Sequence, residues 1–113
     1  MVMQETANSN GNEPRPSKGL RQQAGVWLKA LREGCGLSQR QLAARVEVEY
    51  YTFISQIESG KGRVPAERLA EWADALEYDR AQFAKTLMKY YDPFTYGLVF
   101  GKEIAGDNQI IKR

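Results

Sequence analysis

From Leu20 onward the chain repeats apolar residues at helical spacing. Leu20, Ala24, Trp27, Leu28 and Leu31 fall at i, i+4, i+7, i+8 and i+11, one stripe of an amphipathic helix over about 20–34. Gly34 and Gly36 supply its stop. Ser38 with Gln41 three residues on forms an S-x-x-Q capping box, opening a short second helix over roughly 39–46 with Leu42, Ala43 and Val46 inward. After a break at Glu47-Val48-Glu49, Tyr50, Phe53, Ile54 and Ile57 share one face of a third helix, which Gly60 and Gly62 end. The opposite face holds Tyr51, Thr52, Ser55 and Gln56, all uncharged. Pro65 suits the first turn of a fourth helix with Leu69, Trp72, Ala73 and Leu76 inward. Asp79 is an N-cap for a fifth, with Phe83, Leu87 and Tyr91 inward and Asp92-Pro93 as its terminator. Five short helices with tight connections predict a compact all-α domain.

Residues 1–18 are polar, interrupted by Pro14 and Pro16, and bury nothing, so they read as a disordered arm. The predicted domain spans 19–92, and 93–113 form a C-terminal extension. Residues 90–100 concentrate five of the twelve aromatics, namely Tyr90, Tyr91, Phe94, Tyr96 and Phe100, beside Leu98 and Val99. An apolar cluster of that kind needs covering. Dimerisation through Tyr91, Phe94, Tyr96, Leu98 and Phe100 is the favoured reading. The alternative is that the segment folds back on helices 1 and 5. The β-propensity of Phe94–Phe100 also allows a short strand there, and Lys102–Arg113 are polar.

Composition narrows the chemistry. In 113 residues there is no histidine and one cysteine, Cys35. A Ser-His or Cys-His nucleophile is therefore excluded, and a zinc site lacks its usual ligands, so neither metal nor cofactor is expected. Glu67 and Glu71 read as a solvated helix face rather than a catalytic pair. The opening decapeptide lacks the design of a secretory signal, no stretch is apolar enough for a membrane span, and a lone thiol fits a reducing cytoplasm.

The net charge of +2 is small, but its distribution is uneven. Residues 21–63 hold seven Lys/Arg against four acids, and 64–92 hold four against six. A basic front half suggests one side facing a polyanion. Two short helices joined by a turn, the second with an uncharged polar outer face, are what reading of the DNA major groove requires. An α-helix fits the groove, and base edges ask for hydrogen-bond donors and acceptors. The alternative is an ordinary surface helix of a bundle.

Leu28-Lys-Ala-Leu-Arg32, Gly36-Leu-Ser-Gln39, Leu42-Ala43, Ile54-Ser-Gln-Ile-Glu58 and Gly60-Lys61 resemble, in that order, the signatures of the Cro/phage-repressor-like (XRE) helix-turn-helix family. The likeness extends over about residues 24–91. It implies a lambda-repressor-like fold and a cytoplasmic transcriptional regulator, a homodimeric repressor of double-stranded DNA. Position by position, it implies base contacts from Tyr51, Thr52 and Gln56. Backbone contacts fall to Gln39, Lys61 and Arg63, with Tyr50 and Ser55 beside them, Tyr50 serving mainly in packing. Arg32 and Glu58 match an ion pair tying helix 1 to helix 3. Two departures stand out. Glu47 occupies a turn position that is commonly Gly, and one residue more than usual lies between Val48 and Ile54. The longer turn leaves open which of two neighbouring residues reaches the groove. A competing reading is a protein-interaction module, such as an antitoxin or adaptor, whose aromatic tail binds a protein partner.

Overall fold

The structure, a computed structural model, describes residues 16–104, with side chains from Gly19 to Gly101. The arm expected over 1–18 thus lies mostly outside the described residues, as does the tail beyond Ile104. The elements are α1 (Pro16–Gly34), α2 (Gln39–Arg45), α3 (Thr52–Glu58), a 3₁₀ turn (Ala66–Arg68), α4 (Leu69–Ala75), α5 (Arg80–Tyr91) and α6 (Pro93–Ile104). α1 begins four residues before the predicted start, within the segment expected to be an arm. No strand occurs among the described residues.

Most of the core comes from the predicted stripes, joined by Leu37, Val64 and Ala75, which belong to none of them, while Trp27, Leu31, Phe53, Leu69 and Tyr91 are only partly buried against it. Leu28, Leu42, Val46, Ile54, Ile57, Val64, Trp72, Leu76, Phe83 and Leu87 are buried, and α1 packs on both α3 and α5. Trp72 is buried outright. Trp27 is half-buried at the rim, where its ring meets Tyr78 edge-on at 5.5 Å and Phe83 at 5.6 Å. Tyr50 departs from its predicted inward position. The extra turn residue leaves it ahead of α3, outside the helical register, and it is 66% exposed.

α1 to α4 close in the same way. After each, a residue in the left-handed region lets two successive N–H groups reach back to the last carbonyls. At α2, Glu47 N–H donates to Ala44 O at 3.2 Å and Val48 N–H to Ala43 O at 2.9 Å. At α4, Glu77 and Tyr78 repeat the pattern on Asp74 and Ala73. Gly36 and Gly60 serve α1 and α3 at φ +73° and +87°, a region where glycine has no Cβ to clash. Glu47 and Glu77 do the same at φ +58°, where a side chain is strained. Gly34 and Gly62, read from sequence as part of the stops, do not take this conformation.

The largest correction concerns the strand anticipated at Phe94–Phe100, which is helical. Asp92-Pro93 ends α5 and also starts α6. Asp92 Oδ1 accepts the Thr95 N–H at 3.2 Å, its carbonyl accepts that of Tyr96 at 3.0 Å, and Pro93 occupies the first turn at no cost. α6 then lies along α5. Local capping outweighs the β-propensity of its aromatics.

Candidate nucleic-acid interface

α2 and α3 are built to hold a fixed relation. Ser38 Oγ accepts the Gln41 N–H at 3.0 Å while Gln41 Oε1 accepts the Ser38 N–H at 2.8 Å, so the capping box is complete. At the far end, an Arg68 guanidinium nitrogen donates to the Val46 carbonyl, and Arg45 Nη1 donates to Ala75 O at 3.2 Å. These two arginines brace α2 against α4.

Arg32 of α1 reaches the end of α3. Its Nε donates to Glu58 Oε2 at 2.6 Å, its Nη2 to Glu58 Oε1 at 3.1 Å, and its Nη1 to Leu37 O at 2.8 Å. Both side chains are over 90% buried. The paired carboxylate holds the guanidinium pKa above its ordinary value, against the opposing pull of burial. Gln39 joins this unit, its Nε2 donating to Glu58 Oε1 at 3.0 Å. The first residue of α2 is thereby tied to the last of α3.

The outer side of α3 presents Thr52 and Gln56 exposed, with Ser55 half-buried. Tyr51 is 37% exposed, and the guanidinium of Arg40 lies 4.3 Å above its ring. Arg40 carries no local sequence signal for this contact, because it precedes Tyr51 by eleven positions and only the fold brings them together. The loop after α3 folds back on the helix it leaves. Lys61 N–H and Gly62 N–H both donate to the Gln56 carbonyl, at 2.9 and 3.1 Å. The exposed Lys61 is therefore held at a set distance from Gln56.

Arg63 is exposed, with its guanidinium 4.5 Å from the Tyr91 ring. The Tyr91 hydroxyl in turn accepts the Val64 N–H at 3.3 Å. Burial pushes the Tyr91 phenol above its ordinary pKa, with the Val64 N–H, Arg63 and Arg21 opposing. Of the residues read as dimer contacts, Tyr91 is thus engaged within the chain. Tyr96 and Phe100 stack on each other at 5.1 Å, and Lys85 lies 4.5 Å over Phe100. Phe94 and Leu98 are each 85% exposed. Cys35 is half-buried and its thiol donates to Leu76 O at 3.2 Å.

No described helix is long and apolar enough to cross a membrane. Among solved structures, the chain is similar to the clp gene regulator ClgR from C. glutamicum. That match has a TM-score of 0.52 and 26% identity, covering 73% of this chain and 99% of that one. No curated protein sequence matches it. The model of the helix-turn-helix domain matches residues 19–85, from α1 into α5 and more than half of the chain. This chain belongs to the helix-turn-helix domain family.

Proposed function

We propose that this protein is a cytoplasmic, DNA-binding transcription regulator that reads the major groove of double-stranded DNA with α3, as a homodimeric repressor. One observation carries the reading. Glu58, the sole acid of α3, is turned inward and neutralised by Arg32, so the outward face of Thr52, Ser55 and Gln56 bears no free carboxylate. Such a face offers donors and acceptors to base edges without repelling phosphate. Gln56 supplies an amide able to pair bidentately with adenine, Thr52 a methyl group for thymine, and Tyr51 a ring held by Arg40. Lys61, Arg63 and Gln39 supply contacts to the phosphate backbone, with Tyr50 and Ser55 beside them. The family membership and the likeness to a gene regulator support the same assignment.

Selection of bound sequences from a pool of random duplex DNA tests it. The expected result is an enriched inverted repeat whose half-sites lie about 34 Å apart, one helical turn, or a multiple of it. A pool that emerges without any enriched sequence defeats the assignment.

A further inference from the structure

Arg40 stands where helix stability does not ask for it. It is the second residue of α2, in a first turn without an acidic residue, and a cation there opposes the positive end of the helix dipole. It is exposed, and among the described residues it joins no ion pair. Glu49 lines the same cleft with Ala44 and Val48. The Arg40 guanidinium nevertheless lies over the Tyr51 ring, 4.3 Å from its centroid, and makes no bond to that carboxylate.

Tyr51 has little else to orient it. It occupies the N-cap of α3 without a side-chain cap bond, its backbone already helical at φ −64° and ψ −18°. Among the described residues its ring meets no other ring, and its hydroxyl makes no hydrogen bond.

We propose that Arg40 is a further DNA-binding residue, which grips a backbone phosphate and sets the Tyr51 ring against the base beside it. The inference rests on the major-groove reading above and names what positions one of its base contacts. A guanidinium over a ring makes that contact through its plane and keeps its N–H edge for an anion. In Arg40 no carboxylate claims that edge, and the residue directly follows Gln39, the backbone contact at the start of α2. A charge-assisted bond to phosphate then fixes the guanidinium, and the guanidinium fixes the ring. The Tyr51 hydroxyl remains for the base edge. Arg40 thereby ties a contact without sequence content to one that reads sequence. Lysine at this position would keep the charge and lose the plane.

Two measurements on the full chain test this. In the protein without DNA, NMR should show the Arg40 δ-protons displaced upfield by the ring, and Tyr51→Ala should abolish the displacement. On DNA, selections with the wild type and with Tyr51→Ala identify the base position that Tyr51 reads. Arg40→Ala should lower the slope of log affinity against log salt by about 1 on every duplex. It should also reduce preference at the Tyr51 position by about two- to fivefold, the size of an exposed cation–π contact. Arg40→Lys should restore the slope and leave the preference impaired. The double variant Arg40→Ala, Tyr51→Ala should lose no more preference than Tyr51→Ala alone. Circular dichroism confirms folding of each variant. An unshifted Arg40 signal, or an unchanged slope or preference in Arg40→Ala, overturns the proposal while major-groove reading stands. A wild type that selects no sequence overturns both.

Discussion

A Cβ placed on Gly25 would lie 2.2 Å from the carbonyl oxygen of Glu58, so the middle of α1 rests directly on the backbone of the last turn of α3. Side chains do not mediate this contact, and no rotamer change can relieve a clash between backbones. Gly25→Ala is therefore expected to destabilise the fold by about 2–3 kcal/mol or more, read from urea denaturation. Gly19→Ala, on the same helix with nothing within 4 Å, should instead stabilise by up to ~1 kcal/mol. Equal effects at the two sites would refute the close approach.

Arg32 and Glu58 are buried together, so losing one strands the other. Arg32→Met should cost about 3–5 kcal/mol by leaving an unpaired carboxylate inside. The double variant Arg32→Met, Glu58→Leu should recover most of that loss, because a matched apolar pair needs no desolvation of charge. Gln39 loses its anchor on Glu58 in the double variant. Stability and DNA affinity should therefore separate, the first returning while the second stays low. Parallel recovery of both would show that Gln39 needs no positioning.

The helices of the fold were legible because each carries its own local signals. Ser38 with Gln41, and Asp79 with Gln82, cap where the residue types predict. The stripes of α1 to α5 supply most of the buried core. The sequence misled where one residue could serve two elements. Asp92-Pro93 reads as a stop, yet its side chain and carbonyl cap the helix that follows. Tyr50 fits an inward spacing that holds only if it belongs to α3, and the longer turn excludes it. At the candidate interface, the outward set on α3 is visible from periodicity alone. Arg40 over Tyr51, Gln39 on Glu58 and the Lys61 amide on the Gln56 carbonyl depend on the chain's path in space.

Glu47 holds a left-handed conformation beside the start of the proposed reading helix, and its exposed carboxylate adds negative charge there. Glu47→Gly should relieve the conformational strain and stabilise the protein by roughly 0.5–1 kcal/mol after the entropy of the unfolded glycine is counted. Glu47→Gln removes the charge and keeps the strain. DNA affinity at low salt should rise in both variants, whereas the midpoint of thermal unfolding should rise only with Gly. A gain in stability with Gln would assign the effect to charge instead.

The raised pKa of the Tyr91 phenol fixes the direction of a pH effect. Folding favours the neutral phenol, so its contribution is complete below the ordinary value near 10. It is lost as pH climbs through that value toward the higher folded one. Tyr91→Phe abolishes this alkaline slope but also removes the acceptor for Val64 N–H. At neutral pH the variant should be less stable by about 0.5–1.5 kcal/mol. Above about pH 10 the gap should narrow, because only the wild type then has a phenol to ionise. Urea titrations at neutral and alkaline pH check both parts, and a gap that widens with pH would reverse the assignment.

Gln56 and Lys61 are joined through one carbonyl yet are expected to act differently on DNA. The Gln56 side chain projects from the outer face of α3, where hydrogen bonds can distinguish bases. Gln56→Ala should cost about 1–3 kcal/mol on the selected site and relax one base position, with little loss on random duplex. Lys61 carries a charge on the loop, and a phosphate contact has no sequence content. Lys61→Ala should weaken all duplexes alike and lower the slope of log affinity against log salt by about 1. Fluorescence anisotropy on both DNAs across a salt series separates the two. Equal losses for Gln56→Ala on cognate and random duplex would remove base readout from α3.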